Sequence, residues 1–423
     1  MRRNPRLRPG RAVAAAATAL VTAGIFAAPA ADAAPAQVPG VPHVLFNFAG
    51  KPCAGPLFGV IAGPGGVLYG TTSFDLGPDG GCVFSLTPGK SGYTQRTVFR
   101  FTDQSGLKPQ GIVADVHGDL FGNNLNGGTN GAGTVFELVR GSSGSYTDKV
   151  LHNFAGGTDG VQPVGTPVLD SQGDVFGITE FGGSGGQGVV YELKHSAAGY
   201  AYKLLHTFAR GGGVTQAGLA IASNGTLFGT IFGFGQQNKD GSVFRIQLGK
   251  SGVVYQVLHN FTGGTAGANP NGALTVNNST GVIYGTTNSG TVFALTPHAS
   301  GYTEQVLHNL AGDGSEGGLM EGPLLLTAQG DLFGTATIGG VKCSGIGCGT
   351  LFELTPSGTS FTFRLLHQFT GPPDGADPEV SGLIPGPGGT LIGTTRSGGT
   401  ARRCSDGGPG GVLGCGTAYQ ITP

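Results

Sequence analysis

Short apolar runs separated by glycine-rich polar loops recur along the whole chain, and three of these runs return seven times. In the sixth repeat the three runs are Leu332-Phe333-Gly334-Thr335, Thr350-Leu351-Phe352-Glu353-Leu354 and Leu365-Leu366-His367-Gln368-Phe369. Apolar runs of this length, rich in β-branched and aromatic residues, predict β-strands. Because the loops between them are short and contain Gly and Ser, we expect antiparallel hairpins.

The glycine that closes the first run defines the length of the repeat. It falls at Gly70, Gly122, Gly177, Gly229, Gly285, Gly334 and Gly393, with spacings of 49 to 59 residues. A period of that size in a strand-rich sequence predicts a β-propeller with one blade per repeat. The expected fold class is all-β, a seven-bladed propeller of four-stranded antiparallel blades. The repeat cores lie near 57–102, 110–155, 164–209, 217–262, 272–311, 322–370 and 380–422.

A fourth, weaker run precedes the first run of each repeat, as at 111–114 and 323–326. It is the most apolar and least charged of the four, which suits the innermost strand of a blade. The first strand of the chain, residues 43–48, is of the outermost type, whereas the last, residues 417–422, is of the third type. We therefore expect the N-terminal strand to complete the seventh blade and close the ring, which removes two free sheet edges.

The N-terminus predicts export. A basic start with five arginines precedes an apolar alanine-rich run, and Ala31-Asp32-Ala33 forms a small-x-small cleavage site. These features predict a secretory signal peptide at residues 1–33, a linker at 34–42 and the propeller at 43–423. No later run approaches the length needed to span a bilayer, so we expect no membrane anchor and a secreted or periplasmic location.

Composition and charge narrow the classes of partner. The 84 glycines fall at fixed places in the repeat, which is typical of turns and bulges and unlike collagen or disorder. The formal net charge is −1, and loss of the five leader arginines makes the chain more acidic. Such a chain has no electrostatic footprint for nucleic acid. We expect a monomer that carries no cofactor.

Six cysteines in an exported chain predict disulfide bonds. They are Cys53, Cys82, Cys343, Cys348, Cys404 and Cys415. Neighbours in sequence are expected to pair, because two of the pairs fall within corresponding loops of consecutive repeats. The alternative is a metal site, since Cys343-Ser-Gly-Ile-Gly-Cys348 loosely resembles ligand spacing. No histidine accompanies these cysteines, and an oxidising compartment favours the bridge.

The repeat resembles a known bacterial family. Residues 149–160 (KVLHNFAGGTDG) and 131–138 (GAGTVFEL), with their counterparts in the other repeats, resemble the GloVer repeat of exported "choice-of-anchor" tandem-repeat proteins. The resemblance covers essentially the whole mature chain and implies an exported repeat protein. Such proteins often end in a surface anchor, whereas this chain stops at Pro423 directly after its last strand. Release into the periplasm or the medium is therefore expected.

A row of histidines in one register of the outermost strand could suggest a metal site. These residues are His152, His206, His259, His308 and His367. The same register holds Phe46 and Phe99, so we interpret it as a packing position with a polar tip. Histidines on outer strands would also be spread around the circumference and could not converge on one ion.

Two other polar patterns have structural interpretations. Asp159-Gly160 and Asp374-Gly375 precede a proline and could contribute to calcium binding, but the corresponding place also holds Ala266-Gly267. We therefore predict a turn built on an Asx interaction and a glycine of positive φ. Glutamates in the GTVFEL-like strand alternate between repeats with Ser, Arg and Ala, which is typical of a solvated strand face. No known catalytic motif occurs, and we predict no catalytic residue.

The loop that joins the second and third strands varies most between repeats. In the fifth repeat it shrinks to Asn288-Ser289-Gly290, and elsewhere it is longer. Propeller geometry places these loops and the Asp-Gly segments on one face, around the mouth of the central channel. The candidate binding residues on this face are Phe232, Phe234, Gln236, Asn238 and Lys239 of the fourth repeat and Arg402 and Arg403 of the seventh.

Variable loops on a rigid ring are a usual location for binding. The expected function is therefore that of a secreted, non-enzymatic repeat protein that binds an extracellular ligand, a glycan or a protein, through this face. Tolerated surface drift is the alternative explanation for the variation. A propeller enzyme of lyase or lactonase type would need His, Glu and Asp converging from the ends of the inner strands, and the inner strands are almost free of them. A structural surface or matrix protein is the third possibility.

Overall fold

The computed structural model describes residues 39–50, 53–73, 80–233, 239–250, 252–341, 345–380, 382–401, 404 and 414–423. The predicted signal peptide at 1–33 and most of the predicted linker at 34–42 lie outside these ranges. Helical structure in the described ranges consists of short 3-10 turns, and none is long and apolar enough to cross a membrane.

Seven four-stranded antiparallel sheets stand in a ring, so the chain is a seven-bladed β-propeller, as predicted. The closing strand and the first three blades are β1 (His43–Asn47); β2 (Ile61–Ala62), β3 (Leu68–Thr72), β4 (Cys82–Gly89), β5 (Gly92–Arg100); β6 (Leu107–Ala114), β7 (Leu120–Asn126), β8 (Thr134–Arg140), β9 (Tyr146–Asn153); and β10 (Val161–Leu169), β11 (Val175–Phe181), β12 (Val189–Ser196), β13 (Gly199–Thr207).

The remaining blades follow the same order, from the inner strand outward. They are β14 (Ala220–Ile221), β15 (Leu227–Ile231), β16 (Ser242–Gly249), β17 (Gly252–Asn260); β18 (Thr275–Val276), β19 (Ile283–Thr286), β20 (Thr291–His298), β21 (Gly301–Asn309); β22 (Leu325–Leu326), β23 (Leu332–Ala336), β24 (Thr350–Ser357), β25 (Ser360–Gln368); and β26 (Ile384–Pro385), β27 (Leu391–Thr395), β28 (Thr417–Ile421). Short 3-10 turns lie at Pro64–Gly66, Gly157–Asp159, Gly264–Ala266 and Pro387–Gly389.

The first strand of the chain closes the ring. The seventh sheet has the order β1-β28-β27-β26, and β1 pairs antiparallel with β28 from His43 opposite Gln420 to Asn47 opposite Thr417. Outside the strands, the amide of Gly40 donates to the carbonyl of Thr422 at 2.9 Å. The predicted closure by the N-terminal strand is confirmed, and the third strand of the last blade gains a partner on its outer edge.

The glycine that ends the first run of each repeat makes room for an aromatic ring in the next strand. Gly334 lies opposite Phe352 in the pairing of β23 with β24. A Cβ added at Gly334 would lie 2.5 Å from Cζ of Phe352, a residue that is fully buried. Since the same pair of positions recurs in all seven blades, this contact explains why the sequence repeats a glycine there.

A second repeated glycine allows consecutive blades to pack closely. Gly349, which precedes β24, has a φ of 91°, and a Cβ added there would lie 2.5 Å from Cδ of Pro378 in the next repeat. That φ favours glycine, and the missing side chain lets the proline of the following blade pack against the backbone. The repeated glycine before the GTVFEL-like strand and the repeated proline therefore belong to one interblade contact.

Candidate binding face

The variable loops and the entries to the inner strands share one face of the ring. In the second blade Leu107, at the start of the inner strand, pairs with Asn126, at the end of the second strand. The segment that enters the inner strand therefore lies beside the loop that leaves the second strand. Inner strands surround the axis of a propeller, so these segments form the mouth of the central channel.

Two of the predicted binding residues lie in the described part of this face. Phe232 is half-buried and exchanges backbone hydrogen bonds with Val214, at 2.8 and 3.2 Å. Lys239 is exposed and follows the same loop. The other predicted residues, Phe234, Gln236, Asn238, Arg402 and Arg403, lie outside the described residues. That the seven cluster into one patch therefore stays a prediction.

Disulfide bonds brace the joint at which the ring closes. Cys53 is bonded to Cys82, and Cys404 is bonded to Cys415. All four sulfurs belong to the same buried cluster as Phe48, which directly follows β1. Cys348 is also disulfide-bonded, and Cys343 lies outside the described residues.

The outer-strand histidines contact neighbouring blades and do not converge. The ring of His308 stacks on Phe363 of the next blade, with centroids 4.0 Å apart. Nε2 of His367 lies 2.9 Å from Oδ2 of Asp374, and the same oxygen accepts a hydrogen bond from the amide of Thr370 at 3.0 Å. The carboxylate of Asp374 thus stabilises the turn that begins at Thr370 and also contacts the imidazole of His367.

Three carboxylates gather at the channel mouth where the sixth and seventh blades meet. Glu321 leads into β22, and Asp377 and Glu379 lead into β26. Glu379 is 8% exposed and accepts a hydrogen bond from Nη1 of Arg396, just after β27, at 2.6 Å. Among the described residues, no three His, Cys, Asp or Glu side chains are placed to hold a metal ion.

Neutral groups surround the first of these carboxylates. Oε1 of Glu321 accepts from Nδ2 of Asn271 at 3.2 Å, and Oε2 accepts from the hydroxyl of Thr337 at 3.4 Å. Burial raises the pKa of Glu321, and the nearby charge of Glu379 raises it further. The charge of Arg396 and the hydrogen bonds from Thr337 and Asn271 oppose this rise.

Asp377 lies beneath this surface and is fully buried. Burial raises its pKa to about 7; Ser397 and Arg396 lower it, and Glu379 raises it. Ser397 lies beside the carboxylate, yet neither oxygen has a partner at hydrogen-bond geometry among the described residues. Burial also raises the pKa of Glu379, while Arg396 opposes that shift. In the part of this cluster that the structure describes, three carboxyl groups thus surround one guanidinium, that of Arg396.

The inner strands β22 and β26 carry no acidic residue, in line with the sequence analysis, but that analysis did not consider the segments that lead into them. The acids lie in the irregular segments just before those strands, where a search of the strands overlooks them. The sequence did carry a signal for this cluster. In five of the seven repeats, a polar residue stands just before the apolar part of the inner strand. The residues at that place are Gln110, Gln216, Asn271, Glu321 and Glu379.

A cleft of about 280 Å³ lies farther from the axis, between the fifth and sixth blades. The short loop at 288–290, the end of β21 and the loop after β23 form its walls. Leu310, Ile338 and Ile346 supply its aliphatic side chains, and most of the other lining residues are glycines.

The sevenfold repeat and the ring of seven sheets define a tandem-repeat β-propeller. A family model described as the Gloeobacter/Verrucomicrobia repeat matches residues 56–291, more than half of the sequence. The chain belongs to this family, in agreement with the resemblance drawn from its repeats.

Solved structures agree on the fold. The crystal structure of a protein from Lactobacillus plantarum is similar to this chain, with a TM-score of 0.54 and 14% sequence identity. The match covers 77% of this chain and 86% of that chain. A comparison with curated proteins found no match.

Proposed function

We propose that this protein is a secreted or periplasmic, non-enzymatic scaffold that binds an extracellular glycan through the loop face of its propeller. One observation supports this most strongly: the group of carboxylates, amide and guanidinium at the channel mouth. Glu321, Glu379, Asn271 and Arg396 present hydrogen-bonding groups of both polarities within one surface. Paired donors and acceptors of this kind suit a ligand rich in hydroxyl groups.

The charge of the mouth argues against polyanions. Among the described residues of this cluster, three carboxyl groups accompany one arginine, and Arg396 only opposes the rise that burial causes in the pKa of Asp377 and Glu379. A phosphate or sulfate polymer would add repulsion at this point. A neutral glycan offers hydroxyl donors to the carboxylates without that cost, so a neutral polysaccharide is the preferred class.

The proposed location rests on two features. The N-terminal sequence has the charge, apolar run and cleavage site of a signal peptide. The disulfides between Cys53 and Cys82 and between Cys404 and Cys415 are typical of an oxidising compartment.

A glycan array probed with the full mature protein tests the proposal, followed by calorimetric titration of any glycan that binds. Glu321→Gln and Glu379→Gln should each weaken binding about tenfold, because each removes a charge-assisted hydrogen bond. Glu180→Gln is the matched control, since Glu180 lies at the same face of the third blade and is hydrogen-bonded by Gln216. The absence of any bound glycan, or equal losses in all three variants, would count against the proposal.

A second function has one specific observation in its favour. Asp377, whose pKa is raised to about 7, lies close enough to Glu379 for their charges to interact. A carboxyl group that titrates near neutrality suits general acid–base chemistry, and a sugar would have to displace the groups that cover Asp377 to reach it, because both of its oxygens are buried. Incubation with the glycans that bind, with detection of new reducing ends or unsaturated products, tests for this. Turnover that disappears in Asp377→Asn while binding persists would favour the enzyme.

A further inference from the structure

Residues with a positive φ are almost all glycines in this chain, and the exceptions share one place in the repeat. Among the described residues, the exceptions have a φ between 53° and 59°, and they are Lys108, Gln162, Asn269, Leu319 and Asp377. Each stands two residues after a glycine of positive φ, where the chain enters the innermost strand of a blade at the channel mouth. A side chain in this region of φ is uncommon, because its Cβ crowds the backbone.

The fold does not require a side chain at this place. In the first repeat Gly55 has a φ of 62°, and its amide donates to the carbonyl of Cys415 in the preceding blade at 2.8 Å. The amide of Gln162 makes the corresponding bond to Ala132 at 2.8 Å. The backbone contact is thus the same with and without a side chain. Since strained residues are concentrated at functional sites, the side chains at this place are candidates for binding.

Exposure decides which of the five can reach a ligand. Asp377 is fully buried, and the carboxamide oxygen of Asn269 is buried as well. Leu319 offers no hydrogen-bonding group. Lys108 is exposed and Gln162 is half-buried. Of these two, Gln162 is the one that a second side chain holds in place.

Gln162 forms a pair of carboxamides across the joint between the second and third blades. Its Nε2 donates to Oδ1 of Asn126, the last residue of β7, at 3.1 Å. Asn126 is half-buried and pairs through its backbone with Leu107 at the start of the neighbouring inner strand. Within the described part of the chain, Oε1 of Gln162 and Nδ2 of Asn126 have no partner, and neither atom is buried.

The bonded pair therefore presents one acceptor and one donor next to each other. The free carbonyl oxygen accepts from one hydroxyl group, and the free amide nitrogen donates to the oxygen of another. Hydroxyl groups on adjacent carbons of a sugar ring match this arrangement. Both carboxamides are neutral, so the match requires no charge on the ligand.

We propose that Gln162 and Asn126 form a subsite for the vicinal hydroxyl groups of a sugar, an inference that rests on the proposed glycan binding. The fixed backbone positions Gln162, and the bond to Asn126 orients both carboxamides. The preferred ligands are 1,4-linked glucans, because their internal residues keep free hydroxyl groups on C2 and C3.

Calorimetric titration of the full mature protein with three hexamers of glucose tests the subsite. Cellohexaose and maltohexaose are 1,4-linked, with β and α anomers respectively. Laminarihexaose is 1,3-linked, so its internal residues have no free hydroxyl groups on adjacent carbons. We expect at least one of the 1,4-linked hexamers to bind at least about tenfold more tightly than laminarihexaose, since two hydrogen bonds are at stake.

Gln162→Gly separates binding from stability. Glycine adopts this φ without strain, as Gly55 does, so the urea midpoint of the variant should be no lower than that of the unmodified protein. The variant should nevertheless lose most of the preference for the 1,4-linked hexamer, and Asn126→Ala should lose it too. Gln172→Gly is the matched control, because Gln172 is exposed in the turn between β10 and β11, on the opposite face of the same blade. It should bind like the unmodified protein.

The outcomes separate this subsite from the proposed function. Three hexamers of equal affinity, 1,4-linked hexamers that do not bind, or a full preference kept by Gln162→Gly would each overturn the subsite. A lower urea midpoint of Gln162→Gly would also overturn it, since the side chain would then serve the fold. Any glycan bound on the array would leave the proposed function standing in these cases, whereas an empty array and no binding of any hexamer would overturn both.

Discussion

The imidazole of His206 stacks on the ring of Tyr255, with centroids 3.9 Å apart and planes inclined by 5°. The two residues belong to the outer strands of consecutive blades, β13 and β17, which do not hydrogen-bond to each other. Similar stacks join His152 to Tyr202 and His308 to Phe363. The repeated histidine therefore links consecutive blades at three places around the circumference.

The stack of His206 on Tyr255 should depend on pH. Burial lowers the pKa of His206, so the folded protein favours the neutral ring. As pH falls below about 6.5, the unfolded chain takes up the proton first. The free energy of unfolding therefore decreases from that pH down to the lower pKa of the folded state.

His206→Phe preserves the flat ring and removes the titration. We expect its stability at pH 7.5 to lie within about 1 kcal/mol of the unmodified protein, and its loss between pH 7.5 and 5.5 to be smaller. Urea denaturation at both values measures this. An unchanged dependence on pH would show that the imidazole does not contribute in this window.

The joint between blades should be sensitive to a single methyl group. Gly349→Ala places a Cβ 2.5 Å from Pro378 at a φ of 91°, so both strain and overlap oppose folding. The control is Gly358→Ala in a hairpin of the same blade, where φ is 64° and no atom lies within 4 Å. We expect a loss of about 1 kcal/mol for the control and about 3 kcal/mol for Gly349→Ala in denaturant unfolding. Equal losses would contradict the role given to the proline contact.

The two described disulfides should differ in their contribution to stability. Cys53 and Cys82 are 29 residues apart, whereas Cys404 and Cys415 are 11 apart. A longer closed loop restricts the unfolded chain more, so replacing both members of the first pair with Ser should cost about 3 kcal/mol, and the second pair about 1 kcal/mol less. Urea midpoints of the two double variants under identical conditions test this order. A greater loss from the Cys404 and Cys415 pair would contradict it.

Repetition made the fold predictable from sequence. The glycine of each first run faces one aromatic ring in the same blade, so the constraint is local and appears seven times. Ring closure followed from the strand types at the two ends of the chain. The acidic mouth was missed because Glu321, Asp377 and Glu379 come from irregular segments of two repeats and meet only when the sixth and seventh blades pack together. The short loop at 288–290 was visible, yet the exposure of Leu310 beside it depends on the neighbouring blade.

The buried carboxyl group of Asp377 should lower the stability of the folded protein at high pH. Its carboxyl group is fully buried, and burial raises its pKa to about 7. The folded state thus favours the protonated acid, whereas the unfolded chain ionises near pH 4. The stabilising effect of this group is complete below about pH 4 and is lost as pH rises through about 7.

Asp377→Asn should therefore stabilise the protein at high pH. An amide stays neutral, so at pH 8 we expect the variant to gain at least about 1 kcal/mol over the unmodified protein, and at pH 4 the difference should be small. Thermal and urea unfolding at both values measure the gain. The variant's glycan affinity, measured alongside, shows whether a destabilising acid is retained because the mouth uses it. A variant that is less stable at pH 8 would mean that the ionised carboxylate is compensated by its surroundings, and the electrostatic basis of the proposed site would be wrong.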